Sequence, residues 1–531
     1  MATELLVGGR IYSPSSFDAT AMAVTDGMVV WVGADQPGRA LHPDAEVIDL
    51  DGAFVAPAFV DAHVHTTALG LELIGLDLSA ARSATECLAL LREFVAANPD
   101  GVVWGHGWDD TLWPDRPPSV HDLDDAAPGR LVYLTRVDAH SAICSSALLA
   151  ATPGVEAAIG FSRSALLRAD AHHRVRRTVL GAIEPAQRAK ARAAALDAAA
   201  RNGVVAVHEC AGPDISGPDD LRELLAFEHG VAVRAYWGVP VNTPEQARAL
   251  LAATGAHGLA GDLFIDGSLG SRTAWLREPY ADAPTETGNT YLDADGVADH
   301  VRACTQAGIQ AGFHVIGDAA VAAAVEGIGR VADQLGSPAV AACGHRLEHV
   351  EMITGEQASK LGAWGVIASV QPGFDAAWGG PDGLYAQRLG VDRAAAMNPL
   401  AQLAAKGVSL ALGSDAPVTA LDPWASVRAG VHHRTPGSGI SPRAAFAAAT
   451  RGAWRAGGVR DGVAGTLVPG APASYAIWDV DELVVSAAAD SVQRWSTDPR
   501  SRVPPLPRLD LGAPSPRCLR TVRDGQTIYA S

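Results

Sequence analysis

Short apolar runs that end in a polar residue recur along the middle of the chain, and alanine-rich amphipathic stretches separate most of them. The amphipathic stretches, such as Pro185–Arg201, Gly296–Ala307 and Ala319–Leu335, have the spacing typical of helices. The runs are predicted to be strands at Phe59–His65, Val204–Glu209, Val231–Trp237, Asp262–Asp266, Ile309–His314, Cys343–His349, Val366–Gln371 and Val408–Asp415. Eight strands alternating with helices predict an α/β fold, a parallel (β/α)8 TIM-like barrel whose site is built at the carboxyl ends of the strands.

The two ends of the chain have a different pattern, with short strand-like runs joined by Asp-Gly turns. Asp26-Gly27 separates two apolar runs near the start, and Asp524-Gly525 does the same near the end. An Asp-Gly pair between such runs is typical of a hairpin. We therefore expect residues 1–57 and 462–531 to pair into one small β domain, with the barrel formed by residues 58–461.

A long segment separates the first two predicted barrel strands, at about residues 66–200. It has apolar runs of its own, so we interpret it as a cap inserted over the barrel mouth. It carries a group of aromatic and polar residues: Trp104, His106, Trp108, Asp109, Trp113, Arg136, Asp138 and His140. These aromatic residues either face the substrate or form the core of the cap.

The net charge, the cysteines and the lengths of the apolar runs indicate which classes of partner and which compartment to expect. The 531 residues have a formal net charge of −18, which argues against nucleic acid or an anionic membrane as partner. The six cysteines are scattered without paired spacing, and no apolar run has transmembrane length. The first residues have neither a basic region nor a long apolar stretch. We expect a cytoplasmic protein that acts on a small molecule, with a homodimer as one alternative for its oligomeric state.

The strand ends carry residues that bind metals. His63 and His65 are two apart in one predicted strand, so both imidazoles face the same side. His314, His349 and Asp415 each end a later strand. Four imidazoles and a carboxylate suit Zn²⁺, with manganese or iron as alternatives.

In these motifs the chain resembles the amidohydrolase superfamily, in the amidohydrolase-3 branch that includes N-substituted formamide deformylase-like proteins. The resemblance extends over nearly the whole chain and rests on six segments: Val60–His65, Thr135–Ser141, Asp266–Ala274, Phe313–Asp318, Leu347–His349 and Gly413–Pro417. It implies a metal-dependent barrel flanked by a β-sandwich of both termini. It also implies hydrolysis of amide-type C–N bonds other than peptide bonds, with N-acyl or N-formyl amides as substrates.

One position departs from that family. Members with two metals usually bridge them with a carboxylated lysine near the end of strand four, where this chain has Asp262. No lysine occurs between Lys190 and Lys360. Either Asp262 bridges two metals, or a single ion is bound by His63, His65, His314 and Asp415 with His349 nearby as a hydrogen-bond donor. Because Asp262 and Asp266 are four apart, a regular strand would turn both to the same side.

The expected mechanism follows from these ligands. The metal lowers the pKa of bound water to about 7 and polarises the carbonyl. Asp415 would take the water proton and pass it to the leaving nitrogen, and His349 or His140 would stabilise the oxyanion. Substrate contacts are expected from Arg136, Asp138, Arg272 and Trp108, although each arginine is equally compatible with a structural ion pair.

Two other functions fit parts of the pattern. A heterocycle deaminase uses the same barrel with one metal, but such enzymes generally have a Glu three residues after the strand-five histidine, where this chain has Gly317. A catalytically inactive barrel that binds a partner would explain the missing lysine. The intact histidine and aspartate set argues against such decay.

Overall fold

The computed structural model describes residues 3–137, 141–162, 166–213, 215–485 and 504–531. They form two compact units, one of residues 1–65 with 196–531 and the other of residues 66–195. No helix within the described ranges is both long and apolar enough to cross a membrane.

The first unit begins with six short strands and one helix. They are β1 (Thr3–Val7), β2 (Arg10–Ile11), β3 (Ala21–Thr25), β4 (Met28–Gly33), α1 (Asp35–Leu41), β5 (Glu46–Asp49) and β6 (Phe54–Pro57). The same unit ends with β19 (Tyr475–Asp479), β20 (Leu483–Val484), β21 (Leu506–Pro507), β22 (Arg517–Arg523) and β23 (Gln526–Ala530). Both turns predicted from Asp-Gly pairs are present. Their glycines, Gly27 and Gly525, have positive φ angles, which favour glycine.

Strands from the two ends of the chain share one sheet. Its order is β2-β6-β19-β22-β23, and β19 runs antiparallel to β6 from Tyr475 opposite Pro57 to Trp478 opposite Phe54. A second sheet has the order β4-β3-β1-β5. Leu6 and Met22 from this second sheet pack with Val55 and Tyr475 from the first in one apolar cluster. The burial of these side chains joins the two sheets.

The central part of the first unit holds parallel strands that alternate with helices. The strands are β7 (Phe59–Val64), β13 (Val204–Ala211), β14 (Ala232–Trp237), β15 (Gly312–Val315), β16 (Arg346–His349), β17 (Ile367–Val370) and β18 (Ser409–Leu412). The helices are α8 (Gly217–Leu225), α9 (Pro244–Thr254), α10 (Ala294–Ala307), α11 (Asp318–Leu335), α12 (Ser337–Cys343), α13 (Gly355–Ala363), α14 (Pro372–Trp378), α15 (Leu384–Leu389), α16 (Val391–Ala394), α17 (Leu400–Ala405), α18 (Pro423–Val431), α19 (Pro442–Ala447) and α20 (Ala453–Ala456). This alternation is a TIM-barrel-like α/β fold.

The parallel strands form two sheets, β14-β13-β7 and β15-β16-β17-β18. Single bridges join residues next to these sheets: Tyr236 to Gly258, Leu259 to Ala311, Phe264 to His314, and Val64 to Ala416. These bridges place residues 258–264, which follow α9, between β14 and β15. They place Ala416, which follows β18, beside β7.

The predicted strand Asp262–Asp266 is wrong as a regular element. Leu259 and Phe264 each make one bridge to the β15 side, and Gly261 between them has a φ of +73°. A left-handed residue interrupts the extended backbone, so the hydrogen-bonded ladder breaks there. Asp262 and Asp266, which both follow this glycine, lie outside any regular strand, so the alternation that would turn them to the same side does not apply.

The second unit has its own sheet and core. Its strands are β8 (Leu76–Asp77), β9 (Val103–Trp108), β10 (Val132–Arg136), β11 (Ser141–Cys144) and β12 (Leu167–Arg168), in the order β12-β11-β10-β9-β8. Its helices are α2 (Thr66–Ile74), α3 (Ala84–Ala97), α4 (Val120–Ala126), α5 (Ser146–Ala150), α6 (Ala169–Ala182) and most of α7 (Pro185–Arg201). Two apolar clusters pack on this sheet, one around Tyr133 and the other around Trp108.

Candidate metal centre

The end of β7 is joined to the loop after β18, and this connection places the first three candidate ligands. The Asp415 amide donates to the His63 carbonyl at 2.7 Å, and the His65 amide donates to the Ala416 carbonyl at 2.9 Å. The buried carboxylate of Asp61 accepts the amides of His63 and Ser414 at 3.1 and 2.9 Å. The backbone therefore fixes His63, His65 and Asp415 at one place.

Asp262 reaches the same place from the segment before β15. Its Oδ2 lies 3.3 Å from His65 Nε2, and its Oδ1 lies 3.4 Å from His63 Nε2 and 3.6 Å from His314 Nδ1. Asp415 Oδ1 lies 3.2 Å from His65 Nε2 and 3.5 Å from His63 Nε2. The carboxylate of Asp262 therefore lies between His314 and the two histidines at the end of β7, His63 and His65.

His314 and His349 face each other, and their other nitrogens have defined partners. His349 Nδ1 lies 2.8 Å from Gln371 Oε1, and His314 Nε2 lies 3.3 Å from the Gly267 carbonyl. Both partners accept hydrogen bonds, so each of these nitrogens carries the proton. The remaining nitrogens, His349 Nε2 and His314 Nδ1, face each other at 2.9 Å.

Two ring nitrogens this close need either a proton on one of them or a cation nearby. Burial opposes the charged form of His314, but the carboxylate of Asp262 outweighs it and raises the pKa of this imidazole. Burial, together with the neighbouring His314 imidazole, lowers the pKa of His349 to about 3, so its Nε2 presents a lone pair at neutral pH. Three further buried atoms, His63 Nε2, Asp262 Oδ1 and Asp415 Oδ1, have no hydrogen-bond partner among the described residues. Buried polar atoms are normally satisfied, so this cluster of acceptors fits one or more metal ions.

The electrostatics of the centre are dominated by the two carboxylates. Burial opposes the charged form of Asp262, but the facing histidines outweigh it and hold the pKa of this carboxyl well below its usual range. The pKa of Asp415 is lowered in the same way. Burial likewise opposes the charged form of His65, yet hydrogen bonds to Asp262 and Asp415 raise its pKa to about 10. The centre therefore contains two ionised carboxylates, Asp262 and Asp415, which can bind a cation.

Ligand atoms of His63, His65 and Asp415 lie within 4.8 Å of one another, as do those of His63, Asp262 and His349. His314 joins them through its contacts with His349 at 2.9 Å and Asp262 at 3.6 Å, so the structure brings together all six residues predicted as metal ligands. Their role as ligands remains a prediction that fits this geometry.

The arginines predicted to contact substrate are engaged elsewhere. Arg136 donates to Asp109 at 2.8 Å and to Asp110 at 2.9 Å within the second unit. Arg272 is paired with Asp282 at 2.8 Å, and the φ of Arg272 is +57°. Of the two alternatives given by the sequence, the structure shows the ion pair for both arginines.

Trp108 is in the core of the second unit. Its side chain has 0% exposure, and its indole N–H donates to the Leu134 carbonyl at 3.1 Å. This burial contradicts the prediction that Trp108 contacts substrate, because a tryptophan on β9 packs inward with the apolar residues of that strand. Asp138 and His140, predicted for substrate binding and oxyanion stabilisation, lie outside the described residues.

Asp266 does not face the candidate ligands in the way that Asp262 does. Its carboxylate accepts the amides of Trp275, Ile316 and Gly317 at 2.8, 3.0 and 2.8 Å. Burial raises the pKa of this carboxyl to about 6, against the effect of His314 and the backbone donors. Asp266 braces the loop that follows β15.

Sequence reasoning missed the residues that surround the ligands. Glu348 Oε2 lies 3.0 Å from His63 Nδ1, and Arg346 binds the same carboxylate. Gln371 orients His349, as described above. The available signal was the Arg-x-Glu pair in the predicted buried strand, because two opposite charges two apart on one face of a buried strand need a partner or each other.

Comparison with known proteins agrees with this geometry. The model of the amidohydrolase family matches residues 46–529, so the chain belongs to that family and is a hydrolase. The chain is 28% identical to the Arabidopsis thaliana protein LONG AFTER FAR-RED 3, covering 92% of this chain and 90% of that protein. It is 31% identical to N-substituted formamide deformylase of Arthrobacter pascens over a quarter of each chain.

A solved structure of an uncharacterized metal-dependent hydrolase from Pyrococcus furiosus has the same fold. Its TM-score is 0.75 at 26% identity, over 90% of this chain and 99% of that one. The resemblance to the amidohydrolase superfamily in the sequence is therefore confirmed.

Proposed function

We propose that this protein is a metal-dependent hydrolase of amide-type C–N bonds other than peptide bonds, with N-acyl or N-formyl amides as substrates. The observation that carries the proposal is the convergence of the side chains of His63, His65, Asp262, His314, His349 and Asp415, in which His63 Nε2, Asp262 Oδ1 and Asp415 Oδ1 have no hydrogen-bond partner among the described residues. The deformylase relative supports the choice of substrate class, since it acts on N-substituted formamides by its name.

The residues divide into two sets that share Asp262. One set is His63, His65 and Asp415, and the other is His314 and His349, whose ring nitrogens are 2.9 Å apart. We propose that the centre would hold two divalent ions of the Zn²⁺ type, and that Asp262 would be the ligand common to both sets in place of the family's carboxylated lysine. A bound divalent cation acidifies water and polarises a carbonyl oxygen, which hydrolysis of an unactivated amide requires at neutral pH.

The residues of the chain then have separate tasks. Asp415 has a buried carboxylate held ionised, so it can accept the proton of the attacking water and return it to the leaving nitrogen. Gln371 orients His349, which prevents this ring from turning away from the centre. The loop braced by Asp266 holds His314 through the Gly267 carbonyl.

We also propose features of the fold, the cellular compartment, the substrate and the oligomeric state. We propose that the single bridges complete a closed eight-position barrel, and that the two terminal sheets form a β-sandwich. All six cysteines are free thiols, which supports a reducing compartment such as the cytoplasm. A small-molecule substrate and a homodimer complete the proposed description.

The test is a hydrolysis panel on protein with quantified metal. N-formyl amines, N-acyl amino acids, cyclic amides and a peptide series are offered to enzyme loaded with Zn²⁺, Mn²⁺ or Fe²⁺, and release of amine is measured. We expect turnover of formyl or acyl amides that chelator removes and metal restores. Asp295→Asn on the exposed face of α10 serves as the control for Asp415→Asn. Substoichiometric metal with no turnover would favour an inactive barrel, and ammonia release from a heterocycle would favour a deaminase.

A further inference from the structure

A buried chain of charged groups leads away from the candidate metal centre through His63. Glu348 Oε2 lies 3.0 Å from His63 Nδ1, and Arg346 binds Glu348 through Nε–Oε1 at 2.5 Å and Nη2–Oε2 at 2.8 Å. All three side chains have 0% exposure. Such a buried ion pair is costly to desolvate, so its presence beside a ligand calls for a specific role.

Arg346 has several polar partners. Nη1 donates to His208 Nδ1 at 3.0 Å, and Nη2 also donates to the Ala62 carbonyl at 2.6 Å and to Ser369 Oγ at 2.9 Å. The guanidinium carbon lies 4.5 Å from the centre of the Tyr236 ring. Because an arginine stays charged and these contacts fix its plane, Glu348 has a permanent counter-ion in a fixed place.

This arrangement determines the protonation of His63. An ionised carboxylate only accepts hydrogen bonds, so the proton of a neutral His63 lies on Nδ1. Nε2 then presents its lone pair toward Asp262 and Asp415, at 3.4 and 3.5 Å. Without Glu348 the ring could place its proton on either nitrogen and could rotate.

We propose that Glu348 is a positioning residue that holds His63 in its metal-binding tautomer and sets the metal affinity of the site, and that Arg346 keeps Glu348 in place. The inference rests on the proposed function, because it requires that the centre binds metal. Outer partners of metal-bound histidines change affinity by about 10- to 100-fold when removed. The same range is expected here.

The experiment measures metal binding directly. Purified full-length apoprotein is titrated with Zn²⁺ against a chromophoric chelator, and with Co²⁺ while the visible spectrum is recorded. Glu348→Gln keeps the shape of the side chain but replaces one acceptor oxygen by a donor. We expect its apparent Kd for Zn²⁺ to rise by about 10- to 100-fold and its Co²⁺ spectrum to change.

Glu351→Gln is the matched control. Glu351 is also a buried glutamate just after β16, but its carboxylate accepts from Tyr385 at 2.6 Å and from Asn398 at 3.4 Å. We expect this variant to bind Zn²⁺ within about twofold of the wild type. The contrast separates a specific effect on His63 from the general cost of replacing a buried carboxyl group.

A second variant distinguishes positioning from folding. Replacing the whole ion pair, as Arg346→Met with Glu348→Leu, removes the charges together and avoids leaving one of them unpaired. If the pair only stabilised the fold, a folded double variant would bind Zn²⁺ normally, and that result would overturn the inference. Normal affinity in Glu348→Gln would overturn it as well. Wild-type protein that binds no metal would instead refute the proposed function itself, and the positioning role with it.

Discussion

Two buried histidines remote from the candidate metal centre should make the fold sensitive to acid. His300 on α10 accepts the Val241 amide at Nδ1 at 3.1 Å, and its Nε2 lies 2.9 Å from the Leu259 carbonyl. His345, just before β16, accepts the Ala311 amide at Nδ1 at 2.9 Å. Protonation of either Nδ1 would set an N–H donor against another donor, so both rings are held neutral.

The size of the effect follows from the pKa values. Burial lowers the pKa of His300 to about 4, and burial together with His300 lowers that of His345 to about 3. In the unfolded chain both have a pKa of about 6.5. The unfolded state therefore binds more protons below pH 6.5, so stability is lost as the pH falls from about 6.5 toward the folded pKa values. At pH 5 each histidine costs about 2 kcal/mol, because one pH unit corresponds to about 1.4 kcal/mol per group.

The assay compares urea unfolding at pH 7.5 and pH 5.0, followed by tryptophan fluorescence. His345→Asn offers Oδ1 as an acceptor for the Ala311 amide but does not titrate. The free energy of unfolding of the wild type should fall between the two pH values by about 2 kcal/mol more than that of the variant. His300→Asn should show the same difference, and exposed His121→Asn, 84% exposed, serves as control. Equal pH dependence in the wild type and both buried variants would refute the reasoning.

The other predictions concern the site and the second unit. Asp262→Asn should lower metal content from two ions to one per chain, and unchanged metal and rate would exclude Asp262 as a ligand. Asp415→Asn should lower kcat by about 10²- to 10⁴-fold, the range of general acid–base catalysis, and a smaller loss would assign the proton transfer to another group. Trp108→Ala should destabilise the protein by about 3–5 kcal/mol, measured by urea unfolding, while KM of the folded fraction stays unchanged. A raised KM without lost stability would instead indicate that Trp108 contacts substrate.

The sequence was informative wherever a periodic pattern governed the structure. Strands such as β7 and β13 are largely apolar runs of the expected length, and residues at the strand ends predicted the cluster of candidate ligands. The segment around Asp262 was harder, because Asp262–Asp266 has the pattern of a strand but follows a glycine with positive φ and makes only the isolated bridge at Phe264.

Pattern alone also failed where tertiary contacts decide the role of a side chain. Trp108 and Arg136 have the composition of a binding site, yet one is a core residue and the other is in an ion pair. Glu348 was not singled out from the sequence, although it contacts a candidate ligand. The contact joins it to His63, which is 285 residues away in sequence. Only the fold reveals such a partner.

The pairing of β6 with β19 has a consequence for how the chain is made. The two strands are separated by roughly 420 residues, and ribosomes add about 5–20 residues per second, so β6 leaves the ribosome about 20–80 s before its neighbour exists. During that time Phe54 and Val55 offer an apolar strand edge to any other extended chain. The newly made protein would therefore depend on a chaperone or on fast local packing against β2, and its yield should fall most when translation is slowed downstream of β6.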